Sequence, residues 1–92
     1  MNVIVKGSFD RDADSIRGKE LRIALDSKLQ QIEKARDISQ ITGLKLLRNY
    51  SHHFRIVVKA GKFSYRIGAI IRNEKVWVIR FLPRKKIYQK FP

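Results

Sequence analysis

The stretch FRIVVKAGKFSYRIGAIIRNEKVWVIRFL, residues 54–82, decides the fold. Its three runs, Phe54–Ala60, Phe63–Ile71 and Val76–Leu82, are rich in β-branched and aromatic residues, and only Gly61 with Lys62 and then Arg72–Lys75 part them. Runs of that composition, broken by short turn-forming links, read as an antiparallel meander joined by hairpins. Upstream, Leu44–Arg48 in LKLLRN adds another strand, and His52 with His53 leads into the meander. Downstream, PRKKIYQKFP (83–92) opens on a proline that has no ladder donor, so the last strand is expected to end near Leu82.

Toward the start, Val3, Val5 and Phe9 alternate with polar neighbours over NVIVKGSF (2–9), which predicts a first strand there. Asp10, Asp12 and Asp14 then favour a helix start, because carboxylates stabilise the positive end of a helix. Gly18 interrupts, and Leu21, Ala24, Leu25, Leu29 and Ile32 recur every three or four residues until the pattern fades near Arg36. Asp37–Gly43 reads as a turn. The expected architecture is α+β: an N-terminal strand and a helix pair packed on a twisted antiparallel sheet of about four strands. Trp77 is expected in the core or at a partner contact.

Ninety-two residues, 43% of them hydrophobic and 32% charged, fit one folded domain spanning residues 1–92. No apolar run is long enough for a membrane span or a signal peptide, so no membrane association is expected. With no cysteine there is no disulfide framework, and a cytoplasmic location is expected. The formal charge is +13, and it is unevenly placed. Eight bases and seven acids precede Leu44; thirteen bases and Glu74 alone follow. Bases gathered on one sheet and interleaved with aromatics are the electrostatic footprint of a nucleic-acid binder.

Chemistry must come from what that half contains. One acid and two adjacent histidines, which diverge on a strand, make a poor metal set, so no metal and no cofactor are expected. No serine sits in a nucleophile context, and the five glycines form no phosphate loop. Arginines, lysines and tyrosine remain. They can cleave RNA without metal, because the strand's own 2′-hydroxyl attacks its phosphate while cations neutralise the charge that develops. A tyrosine ringed by cations would have its ionised form favoured and could take a proton. The same groups could equally bind RNA without cutting it.

The succession HHFRIVVK (52–59), SYRIG (64–68) and VWVIRFLPRKKIYQKFP (76–92), preceded by a helix pair and LKLLRN, resembles the bacterial RelE and ParE toxin superfamily of type II toxin–antitoxin modules. The resemblance implies a small α+β toxin held inactive by an acidic cognate antitoxin, in a hetero-oligomer that binds operator DNA through the antitoxin. In the RelE branch it implies a ribosome-dependent, metal-independent endoribonuclease that cuts mRNA and halts translation. Position by position, it implies that Arg66 holds the scissile phosphate, that Arg84 supplies the C-terminal basic group and that Tyr88 is the terminal tyrosine; these three are the candidate catalytic residues. It further implies that Arg55 faces the RNA, and Lys59, Arg80, Lys85 and Lys86 are expected to extend the phosphate-binding surface. Where the family motif usually has histidine, this chain has Pro83. Two other readings stay open: a ParE-like inhibitor of DNA gyrase that uses Trp77, the helix pair and the tail, and a nonenzymatic RNA-binding module.

Overall fold

The computed structural model describes residues 1–92. Strand β1 (Asn2–Val5) is followed by helices α1 (Gly7–Asp14) and α2 (Lys19–Lys34), a 3₁₀ turn (Ile38–Gln40), and strands β2 (Leu44–Leu46), β3 (His53–Ala60), β4 (Phe63–Arg72) and β5 (Lys75–Pro83). Helix α3 (Arg84–Lys90) ends the chain. The five strands form one sheet in the order β1-β5-β4-β3-β2. Strands β2 to β5 are antiparallel, as expected, while β1 runs parallel to β5. The fold is α+β, with a mixed sheet of one more strand than the meander accounted for. No helix is long and apolar enough to cross a membrane.

Alternation in the three central strands builds the main core. Phe54, Ile56 and Val58 of β3, Ile67, Ala69 and Ile71 of β4, and Val76, Val78 and Phe81 of β5 all face the helices. Strict alternation would place Phe81 on the wrong side of β5. A bulge corrects it: Ala69 pairs with Val78 but Gly68 pairs with Arg80, so Ile79 is an extra residue that rephases the strand. Phe9 and Ala13 of α1, with Leu21, Leu25 and Ile32 of α2, close the core from above.

Two expectations need correction. The NVIVKGSF strand stops at Val5, and Gly7–Phe9 already belong to α1, because Phe9 and Ala13, four residues apart, form its buried stripe. Strand β2 stops at Leu46 instead of Arg48, because the chain turns there: the Tyr50 N–H donates to the Leu47 carbonyl, and Asn49 takes a left-handed φ of 68°. After Pro83, where the last strand ends close to the expected Leu82, the tail is helical. Trp77 lies on the sheet face opposite the main core, between Ile4 and Ile70 on the neighbouring strands.

Beyond Val78, β5 has lost its β1 neighbour, and an open edge of unpaired amides invites association. Helix α1 covers it. Lys6 N–H donates to the Val78 carbonyl at 3.0 Å, Ser8 Oγ to the Ile79 carbonyl at 2.5 Å, and Phe81 N–H donates to Asp12 Oδ2 at 2.9 Å. Asp12 also takes Arg80 in a two-pronged ion pair, Nε to Oδ2 at 2.8 Å and Nη2 to Oδ1 at 3.2 Å. Asp12→Ala leaves both the Phe81 amide and Arg80 without their acceptor. It is expected to cost about 1–3 kcal/mol in urea unfolding, and Arg80→Ala, which keeps the amide bond, less. Equal costs for the two variants would show that the edge bond contributes nothing.

Candidate functional site

Because Phe54, Ile56 and Val58 point to the helices, Arg55, Val57 and Lys59 stand on the other face of β3. Register adds the rest: Lys45 of β2 is opposite Arg55, Arg66 of β4 is opposite Val57, and Leu82 of β5 is opposite Arg66. Across from Arg55 on β4 is Gly68, whose missing side chain leaves a notch filled by the ring of Phe91. Phe91 and Ile87 of the C-terminal segment bury against Leu47, with Ile79 and Leu82 packed beside them, in a second small core. That core lays α3 onto the basic face.

Helix α3 thereby carries Tyr88 over Arg55, whose guanidinium carbon lies 4.2 Å from the centroid of the tyrosine ring. A guanidinium over an aromatic face is held by the ring quadrupole. The Nε of Arg55 is buried there with no hydrogen-bond partner, so Arg55 keeps an unused donor. Arg66 donates through Nη1 to Ser64 Oγ at 2.9 Å and to the Tyr65 carbonyl at 3.0 Å, which fix its direction and engage one nitrogen of the fork. Arg84 lies one turn before Tyr88 on α3. Hydrogen bonding by Arg84 is the largest influence and holds the Tyr88 hydroxyl below the ordinary phenol value; burial opposes it, and the positive charges of Arg84, Arg55 and Arg66 each add a weaker push in the same direction as the hydrogen bond.

Of the candidate residues, Arg55 lies against the ring of Tyr88, Arg84 is one turn from it on α3, and Arg66 is near enough for its charge to act on the hydroxyl. Lys59, at the far end of β3 opposite Ser64, and Lys85 and Lys86, on α3, are exposed around it with no carboxylate partner. Arg80 is not part of this group, since Asp12 ties it to α1 in the only salt bridge of the molecule. Pro83, where the related motif has histidine, is the residue before α3, and it offers no proton to exchange. His53 does not replace it: its ring packs against Tyr50 and Phe91 at centroid distances of 4.6 and 5.8 Å. Lys45 was missed as a candidate. Its alternation with Leu44 and Leu46 would have placed it on the basic face, and the register sets it beside Arg55. No group of three or more His, Asp or Glu side chains converges anywhere.

No protein-family model matches the chain, and no curated protein matches it. Among solved structures, its fold is similar to that of a chain in the RelB–RelE antitoxin–toxin complex of Methanococcus jannaschii, with 21% sequence identity and a TM-score of 0.73. The match covers 97% of this chain and 99% of that one, so nothing large is added or lost. From β1 to α3, the fold is the RelE-like α+β fold that the sequence resemblance implies.

Proposed function

We propose that this protein is the toxin of a toxin–antitoxin pair and that it cleaves mRNA on the ribosome, without metal, at the phosphate bound between Arg66 and Arg84. The observation that carries the reading is the gathering of three arginines around a tyrosine whose ionised form they favour. Tyr88 as phenolate takes the proton of the 2′-hydroxyl. The freed oxygen attacks phosphorus, the bond from phosphorus to O5′ breaks, and the leaving O5′ takes a proton from water. The products are a 2′,3′-cyclic phosphate and a 5′-hydroxyl. Arg66 and Arg84 hold the phosphate oxygens and neutralise charge that grows as the fifth bond forms. Arg55 orients the tyrosine and adds positive charge beneath it.

The RelB–RelE likeness supports the toxin assignment and an antitoxin partner. The sequence carries 21 bases against eight acids, and the structure pairs one base with a carboxylate, so an acidic antitoxin segment has a ready counter-surface. The ribosome supplies both the mRNA and its alignment. The test is translation of a defined mRNA in a purified bacterial system with RNA ends mapped, with and without ribosomes; intact mRNA with wild-type protein overturns the reading.

A pH profile follows with a definite sign. A phenol with a lowered pKa is ionised over a wider range, so the cleavage rate should rise with pH, and the midpoint of the rising limb should lie below the ordinary phenol value. Arg84→Gln removes the largest cause of that lowering and should move the rising limb to higher pH. A limb that stays in place in Arg84→Gln would remove Tyr88 from the proton-transfer step.

A further inference from the structure

A second feature of the basic face is not used by the phosphate site. Next to Arg55, residues Lys45, Arg48, Asn49 and Tyr50 line an open bowl of about 580 Å³, with Leu47 at its base and no acidic residue in its walls. The loop that shapes it is fixed: Leu47 N–H donates to the His53 carbonyl at 2.8 Å and Tyr50 N–H to the Leu47 carbonyl at 3.2 Å. Asn49 tolerates the left-handed φ of 68° that the turn requires. Tyr50 leans on His53, and His53 leans on Phe91, so the ring is backed on one side while 44% of the residue stays exposed. A half-exposed aromatic that is braced from behind and rimmed by two unpaired bases has no role in the core.

Its chemistry fits an unpaired nucleotide. Every base has a face that can stack on an aromatic ring, and Lys or Arg beside the ring can take the flanking phosphates. Arg55 lines this bowl and also lies under Tyr88, so the two sites are contiguous through one side chain. We propose that Lys45, Arg48 and Tyr50 form a nucleotide subsite: one base of the single-stranded RNA stacks on Tyr50, its phosphates lie on Lys45 and Arg48, and it neighbours the phosphate held at Arg66. Its place next to the scissile bond rests on the RNA-cleavage reading above; the stacking itself does not. The subsite fixes which nucleotides are presented and so narrows the choice of cleavage position.

The test uses a short single-stranded RNA carrying 2-aminopurine, whose fluorescence falls when the base stacks, together with cleavage mapping in the purified translation system. Tyr50→Ala should lose the quench, weaken RNA binding by about fivefold or more, and spread cleavage over more positions, while Tyr50→Phe keeps all three properties. Lys45→Ala and Arg48→Ala should each lower the slope of log affinity against log salt by about 0.7. Phe63→Ala removes an aromatic that is 43% exposed on the helix side of the sheet, and it should change nothing. A quench that disappears in Tyr50→Ala although wild type cuts no mRNA keeps the subsite and overturns the cleavage reading. Wild-type cleavage with an unaltered quench, affinity and cut pattern in Tyr50→Ala overturns the subsite.

Discussion

Tyr88→Phe should slow ribosome-dependent cleavage by about 10²–10⁴-fold, the usual contribution of one positioned acid–base group. The substitution removes one hydroxyl and leaves the ring that Arg55 underlies, so α3 keeps its seat and the loss reports proton transfer alone. Half of Tyr88 is exposed, and its removal should not lower the melting temperature. Arg66→Ala with Arg84→Ala goes further. Each guanidinium aimed at a developing oxyanion typically contributes about 10²–10³-fold, and the pair acts on one phosphate, so the double variant should leave no ends above background without reaching the product of the single losses. A Tyr88→Phe variant that cleaves as fast as wild type would give the proton to another group and leave Tyr88 as a lid on Arg55.

Legibility in the sequence followed the range of each signal. Strands β3 to β5 were readable because each carries its own alternation, and their short links leave little choice of pairing. The parallel pairing of β1 with β5 was not, because nothing in Asn2–Val5 names its neighbour across the sheet. Nor was α3, whose seven residues bury Ile87 alone, with Phe91 packing just past its end; that is too little to show a helical period. The bulge at Ile79 leaves a trace in Val76, Val78 and Phe81, but only the structure separates a slipped phase from a strand end. Arg55, Arg66, Arg84 and Tyr88 were nameable only through the family likeness, since pattern alone gives a basic face without a centre. Arg80 shows the limit of charge counting: its partner Asp12 lies 68 residues away, in the half that looked neutral.

The site depends on a residue that has no side chain. At Gly68 a Cβ would lie 2.5 Å from Cγ of Phe91 and 2.7 and 2.8 Å from its two Cδ atoms, closer than any carbon contact allows. The ring has little room to retreat, being buried, flanked by His53 and packed in the small core with Ile87 and Leu47. Gly68→Ala must therefore lift the end of α3. The main core is spared, because Ile67 and Ala69 face the other way. Overpacking of this kind costs about 1–3 kcal/mol, and for a domain of this size each kcal/mol corresponds to roughly 4–8 °C in melting temperature. The larger effect should be on catalysis. Displacing Tyr88 from Arg55 by about 1 Å is enough to cost about 10²-fold, so activity should collapse in a protein that still shows its far-UV circular dichroism. Phe91→Leu in the Gly68→Ala background makes room for the added methyl and should recover rate beyond the sum of the two single effects, the signature of residues in contact. Full activity in Gly68→Ala alone would mean that α3 finds its place over Arg55 without Phe91 in the notch, and the small core would then serve stability alone.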